Sequence, residues 1–427
     1  MADRPADDAP ERRGGLTRRR LLAAGGGGAL GLAIGGGVGY AAGRGSGDDG
    51  SGMASVDGTI PFDGPHQAGI ATAPPDRLVF AAFDVVAATT KADLRTMFEE
   101  WTAAARRMTA GEPVGAVAGH ELAPPVDTGE AMGLPPANLT ITFGFGPGIF
   151  DRPGLGLAAQ RPPQLKPLPP LPGDELNGLE SGGDICVQAC ADDPQVVFHA
   201  IRDLARIGRG TVTMRWSQLG FGRTSTTSRG QETPRNLFGM KDGTANIKAE
   251  DTDLMNEFVW VDDGPAWMRG GSFMVTRRIR MNLEVWDRSS LGDQEETIGR
   301  QKYNGAPLGG TDEFEPLPLE DKDSNGTPVI PANSHVRLAS AQENGGVQIL
   351  RRGYSFTDGV DQSLGELEAG LFFIAFQRDP EKQFVVLQRK LGVHDALDEY
   401  IKHVGSAVFA VPRGAEKGGF VGEALFA

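Results

Sequence analysis

Cysteine is almost missing: the 427-residue chain has two, Cys186 and Cys190. Two cannot build a disulfide framework or a cysteine-rich metal site. Basic residues are also short, 42 Lys and Arg against 56 Asp and Glu, for a formal net charge of −14. That balance argues against a nucleic-acid binder, because neutralising phosphates takes clustered Lys and Arg. There is no GxSxG, no HExxH, no GxxxxGK[ST] and no strand-linked GxGxxG, so the common nucleophile, zinc and phosphate motifs drop out. Gly144-Phe145-Gly146-Pro147-Gly148 is glycine-rich, but Pro147 and the lack of a following Lys or Ser exclude a phosphate loop. Histidine is scarce too, six in all, so chemistry that needs one has few places to sit.

What is present suffices to fold. A hydrophobic fraction of 39% beside 23% charged residues supplies real cores, and 61 Gly with 29 Pro imply many turns. The length suggests two domains or one large one. One long uncharged run, Leu21–Ala42, follows Thr17-Arg18-Arg19-Arg20. It is long enough to cross a bilayer, but nine of its 22 residues are Gly, which makes a weakly apolar, poor helix. An arginine pair, a mild apolar region and small residues at Ala41-Ala42 read as a Tat-type export signal over residues 1–45. The expected product is extracellular, in the cell envelope or periplasmic, without a stable membrane span after processing. Losing seven basic and four acidic groups with that segment leaves −17.

Cys186 and Cys190 fall in Asp184–Ala191, which reads as a strand. Four residues along a strand separate Cα atoms by ~13 Å, beyond the ~7 Å limit of a disulfide. A buried, reduced pair is expected.

The rest of the chain repeats itself. Arg77–Ala87 reads as a strand and Lys91–Met108 as a helix with Leu94, Met97, Phe98 and Trp101 on one face. Asn138–Gly146 and Asp184–Ala191 follow as strands, then a helix Pro194–Ile207 and a strand Gly210–Leu219. The second half gives a strand Gly271–Leu283, a helix Leu291–Lys302, strands Gly346–Phe356 and Gly370–Gln377, a helix Glu381–Leu391 and a strand Ser406–Val411. Both orders are β-α-β-β-α-β, that of a ferredoxin-like unit. The expectation is an α+β chain of two tandem ferredoxin-like domains, 46–225 and 226–427. A Pro-, Gly- and Asp-rich stretch between Tyr303 and Gly345 interrupts the second; loops of that length are usually functional or disordered.

Three places could carry chemistry. Asp242 sits in the Gly-bracketed turn Gly239-Met240-Lys241-Asp242-Gly243-Thr244-Ala245-Asn246, ordinarily a plain turn. His335 lies in Asn333-Ser334-His335-Val336-Arg337-Leu338, where a lone histidine is ordinarily structural. Arg351 and Arg352 end an apolar strand, ordinarily a solvated pair. Taken together, an Asp, a His and an Arg are what a haem peroxidase needs: one axial histidine, a base that moves a proton between peroxide oxygens, and a cation for the developing charge.

The constellation resembles the dye-decolourising peroxidases, in particular their Tat-exported bacterial members. The family's G-x-x-D-G is Gly239-Met240-Lys241-Asp242-Gly243; its ligand segment matches Ser334-His335-Val336-Arg337-Leu338-Ala339, and its distal arginine Arg351. Gly64–Ile70 (GPHQAGI), Phe143–Gly146 (FGFG), Gly182-Gly183-Asp184 and Phe376–Pro380 (FQRDP) match in order. The resemblance implies two ferredoxin-like domains, with one haem b per chain in the C-terminal one. It implies His335 as iron ligand, Asp242 as acid–base and Arg351 as cation. Gly243, Thr244, Ala245 and Asn246 would line the distal face. Arg337, Ser340, Ala341 and Gln342 would lie by the haem edge, with Asp395 hydrogen-bonded to the ligand histidine; His66 and His394 would be structural. Implied partners are hydrogen peroxide, a small-molecule or metal-ion reductant and the Tat machinery; a homo-oligomer is compatible. An aspartate base, with an ordinary pKa of ~3.9, stays ionised in acid where a histidine would be protonated, implying an acidic optimum. Bulky dyes would be oxidised through a surface aromatic, with Tyr354, Tyr400, Trp216, Trp260, Trp267 and Trp286 as candidates. Two readings compete: a haem-handling protein that takes iron from haem, and an exported metal-handling module without turnover.

Overall fold

The computed structural model describes residues 58–115 and 119–427, so the export signal expected over residues 1–45 lies outside the described residues. Among those described, no helix is long and apolar enough to cross a membrane.

The first half runs β1 (Arg77–Val85), α1 (Lys91–Thr109), β2 (Thr140–Phe145), β3 (Ile185–Ala191), α2 (Pro194–Ile207) and β4 (Val212–Arg223). Both helices start on side-chain caps. Thr90 and Asp93 cap α1 reciprocally, and Asp193 accepts from the backbone N–H groups of Gln195 and Val196 with Pro194 in the first turn of α2. The second half contributes β5 (Ser272–Met281), the two-residue β6 (Leu350–Arg351), β7 (Tyr354–Asp361), β8 (Glu366–Gln377) and β9 (Ile401–Val411). Its helices include Leu291–Ile298, His335–Ala339 and Phe384–His394.

Within the first half the strands lie in the order β4-β1-β3-β2, and within the second β9-β5-β8-β7. In each half the first and third strands of the repeat are central. Instead of two separate sheets, the halves share one. Phe145 on β2 pairs with Ala410 on β9, and Phe221 and Arg223 on β4 pair with Ser355 and Tyr354 on β7. Because β5 pairs with both β8 and β9, the antiparallel strands close into a barrel with β6 attached to β8. Closure leaves no long edge to protect.

Side-chain alternation then sorts each strand between barrel interior and outer face. Leu78, Phe80 and Ala82 of β1 join Phe372, Ile374 and Phe409 in one buried cluster. Phe80 lies 5.2 Å from Phe372 and 6.0 Å from Phe409, ring centroid to centroid, so the interior ties the two halves. Val79, Ala81 and Phe83 point outward to the core under α1 and α2. Cys186 and Cys190 are both buried and free, as expected for positions four apart on a strand.

Element boundaries moved for identifiable reasons. The helix expected over Leu291–Lys302 stops at Ile298, because Gly299 takes φ +90°, and a Cβ there would meet Val336 at 2.6 Å. The strand expected over Gly346–Phe356 is two strands. β6 pairs with Ala375 and Phe376 of β8, whereas β7 moves on to pair with β4 and the other end of β8. The stretch from Tyr303 to Gly345 is folded and carries the helix with His335.

Trp101 anchors the outer core of the first half. It is fully buried, packs on Phe83, Phe98 and Phe143, and its indole N–H donates to the Leu204 carbonyl at 2.8 Å. Trp101→Ala should cost about 3–5 kcal/mol in urea unfolding; a loss under about 1 kcal/mol would mean that this core does not hold α1 and α2 to the sheet.

Candidate active site

Where the first half covers its outer sheet face with α1 and α2, the second half leaves a cavity of about 520 Å³. Its floor is the outer face of β5 and β8, with Ile279, Met281, Leu371 and Phe373. The helices His335–Ala339 and Phe384–His394 and the segments around Asp242 and Glu313 form the walls.

Asp242 reaches this cavity because Gly243 can. At φ +91°, a Cβ on Gly243 would stand 2.8 Å from the Cα of Ser225, so only glycine lets the turn press against the end of β4. The Asp242 N–H donates to the Pro234 carbonyl at 2.9 Å, and Oδ2 accepts from Asn236 Nδ2 at 3.2 Å. Arg351 comes from the other side, on β6. Its Nη1 donates to Asp242 Oδ1 at 2.8 Å. Asn246 locks that approach: its Oδ1 accepts from the Arg351 N–H at 2.8 Å while its Nδ2 donates to the Arg351 carbonyl at 2.8 Å. Asn246 thus holds the backbone of the arginine as well as lining the cavity.

His335 opens its short helix after Ser334. Its Nδ1–H donates to Asp395 Oδ2 at 2.6 Å, and Asp395 Oδ1 accepts from the Leu397 N–H at 2.9 Å. A carboxylate on Nδ1 selects the tautomer with its lone pair on Nε2. Burial pulls the His335 pKa down, but the Asp395 carboxylate more than offsets this and leaves it raised; the charges of Arg351 and Asp242 also reach it. The three residues singled out from the sequence therefore share one cavity, with Asp395 behind the histidine.

Gly243, Thr244, Ala245, Ser340, Ala341 and Gln342 line the cavity as well. Arg337 does not: its guanidinium donates to Glu343, to the Leu319 carbonyl at 2.9 Å and to the Ile330 carbonyl at 3.4 Å. Two residues along a helix is about 200° of rotation, so Arg337 faces away from where His335 points. His66 stacks on Trp260 at 3.7 Å and meets the Gly270 carbonyl at 2.7 Å, a packing role, while His394 is exposed.

Sequence reasoning missed Arg277, Arg300, Glu313 and His403, all cavity residues. Alternation along β5 signals Arg277; the others depend on long-range folding. Arg300 is buried, and Nη1 donates to the carbonyls of Gly305 at 2.7 Å and Glu313 at 2.8 Å. No carboxylate lies within 4.0 Å of Arg300 among the described residues. His403 is held neutral, its pKa pushed down to about 3 by burial and by Arg277. Of the aromatics, Trp286 stacks on the cavity residue Phe238 at 4.4 Å and meets Tyr400 edge-on at 5.0 Å, whereas Tyr354 lies in the barrel interior.

The chain is similar to known proteins along most of its length. The Dyp-type peroxidase N-terminal family model matches residues 67–222 and the C-terminal one residues 233–416. The chain is 39% identical over 373 residues to the deferrochelatase of Escherichia coli K12, covering 86% of each. It superposes on ferric DtpA from Streptomyces lividans with a TM-score of 0.80 at 41% identity, covering 87% of this chain and 98% of that one. A DyP-type peroxidase from Cellulomonas bogoriensis gives 0.77 at 39% identity, covering 87% and 98%. Two halves of mixed helix and strand joined in one antiparallel barrel, each matched by its own family model, make a two-domain Dyp-type peroxidase fold. The chain belongs to the Dyp-type peroxidase family.

Asp398, beside Asp395, offers a test of the cavity's electrostatics. Burial and the Asp395 charge push its pKa up from 3.8 to about 6. Between those values the unfolded chain loses the proton while the folded chain keeps it, so this contribution to stability falls as pH rises. Asp398→Asn should stabilise the cofactor-free protein at pH 7.5 by on the order of 1 kcal/mol, a figure discounted because the group is half exposed, and not at pH 4. Equal shifts in thermal unfolding at both pH values would contradict this.

Proposed function

We propose that this protein is a haem-dependent peroxidase that reduces hydrogen peroxide and oxidises dyes or other one-electron donors. The observation that carries the reading is the Asp242–Arg351 pair at 2.8 Å, lining the same cavity as an Asp395-backed histidine.

The residues present fit haem. His335 offers a lone pair on Nε2, the floor is apolar, and Arg300 is a buried cation with no carboxylate within 4.0 Å among the described residues, suited to a haem carboxylate. Bound there, haem supplies the iron at which peroxide is split. The chain's own groups manage the protons and charge. The Asp242 carboxylate accepts a proton from one peroxide oxygen and passes it to the other, which leaves as water. Arg351 stabilises negative charge on that leaving oxygen and holds the carboxylate in place. Asp395 fixes the His335 ring and strengthens its donation.

We read each half as a ferredoxin-like unit, on its β-α-β-β-α-β order and its shared strand order, with one haem b per chain in the second half. Residues 1–45 we read as a Tat signal, with the mature protein extracellular, in the envelope or periplasmic. Relatives named deferrochelatase favour a second reading, removal of iron from haem. That activity would need His335 but gives no use to an Asp–Arg pair in the same cavity.

Absorption spectra separate the two readings. His335→Ala should lose haem binding. Asp242→Asn and Arg351→Leu should keep it while slowing the reaction with peroxide about 10²- to 10⁴-fold. Wild-type protein that binds haem yet leaves peroxide untouched would favour iron removal. The peroxide reaction should be fastest in acid solution, and a rate that climbs toward pH 8 would exclude Asp242 as the base.

A further inference from the structure

We propose that the first half carries a site for a zinc-type divalent cation, formed by Asp127 and His199 where the connection after α1 meets α2. The site lies outside the cavity described above and does not depend on the peroxidase reading.

Helix α1 ends at Thr109 and β2 begins at Thr140, and among the described residues the connection between them holds no helix or strand. A connection of that length in a compact body has to be fastened by its side chains. Here the fastening is a knot of one histidine and three carboxylates. His199 and Asp203 stand one turn apart on α2, and Asp127 and Glu130 come from the connection. The side chains of His199, Asp127 and Asp203 are all buried.

The two ring nitrogens of His199 face different groups. Nδ1 lies 3.0 Å from Glu130 Oε2 and 3.3 Å from Asp203 Oδ2. Burial pushes the Glu130 carboxyl up, but hydrogen bonds from Thr128, His199 and Arg202 bring it down to about 2. An ionised acceptor keeps the proton on Nδ1 and leaves the lone pair on Nε2. Among the described residues Nε2 makes no hydrogen bond, and it faces Asp127 Oδ2 at 3.5 Å. A lone pair turned toward a carboxylate oxygen is repulsive unless a positive group stands between them.

Charge points the same way. Arg202 pairs with Glu130, and Arg206 with Asp203 at 2.9 Å. Asp127 accepts from the Val114 and Gly129 N–H groups, each at 2.7 Å, but no Lys or Arg lies within 4.0 Å of it among the described residues. A buried carboxylate needs a cation beside it. Geometry then selects the ion. Asp127 and His199 line a cavity of about 100 Å³, room for an ion with two or three waters at ~30 Å³ each. Zinc binds imidazole nitrogen and carboxylate oxygen at ~2.1 Å, and two such bonds ending 3.5 Å apart enclose about 113°, near the tetrahedral angle. Magnesium and calcium favour oxygen ligands and wider shells. Glu130 and Asp203, behind Nδ1, are the carboxylates that orient a ligating ring and raise its basicity.

The test uses the untagged, haem-loaded protein, treated with EDTA and then freed of it. Calorimetric titration with zinc chloride should show a saturable site that magnesium chloride does not fill. Zinc should also slow cleavage by a glutamyl endopeptidase at the exposed Glu121 of the same connection. Glu130→Gln should weaken zinc about ten-fold by removing a carboxylate behind the ring, and His199→Gln and Asp127→Asn should remove the site. Because the last two side chains are buried, haem absorption and circular dichroism are recorded on each variant. If either fails to fold, the wild-type titration and Glu130→Gln, whose side chain is half-buried, decide the matter. Zinc bound no more tightly than magnesium, or a folded His199→Gln or Glu130→Gln protein that takes up zinc as wild type does, would overturn the proposal and leave the knot as a cluster of ion pairs alone.

Discussion

The contact between Arg351 Nη1 and Asp242 Oδ1 joins segments 109 residues apart in the chain, and much of the second half is arranged so that it can exist. Two part-buried charges gain little net stability from pairing, because desolvation offsets their attraction. The geometry around them is nonetheless heavily determined. A glycine at φ +91° presses one segment against Ser225 just after β4, a two-residue strand fixes the other on β8, and Asn246 bonds both backbone groups of the arginine. Such investment around a pair of little stabilising value is the mark of a site held for chemistry.

The barrel makes that placement possible. Arg351 and Arg352 are adjacent, so on extended backbone their side chains leave opposite faces. Arg351 lines the cavity; Arg352 is fully buried and donates to the Thr72 carbonyl in the first half. Neither is the solvated strand end that paired arginines usually make. One dipeptide thus serves both the cavity and the joint between halves, at the point where β6 and β7 part.

The repeat of strands and helices was legible because apolar runs and amphipathic periods are local properties. Asp242, His335 and Arg351 were legible only as an ordered set, since each alone has a commoner structural use. Closure of the two halves into one ring was not legible: it depends on pairings such as Phe145 with Ala410, for which no local pattern exists. Arg300 and Glu313 were hidden for the same reason, because their roles arise when the stretch after Tyr303 folds back on the Asp242 segment. Arg337 differs from them in another way. The resemblance put it by the haem edge, but helical rotation turns residues two apart to different sides, and Arg337 does not line the cavity.

Two histidines line the cavity, and their partners separate their roles. His403 is buried and neutral, and its Nε2 meets the Gln388 side-chain amide nitrogen at 3.1 Å, so that lone pair is already engaged as an acceptor. His335 has the converse arrangement. Asp395 engages Nδ1, leaving the Nε2 lone pair uncommitted in a cavity that Arg351 and Asp242 share. The neighbouring Asp398 has its pKa raised to about 6, which lets it remain protonated in acid and spares Asp395 a competing negative charge. The orientation of His335 is therefore set by Asp395, and Asp395 in turn lies beside an Asp398 that stays protonated in acid solution.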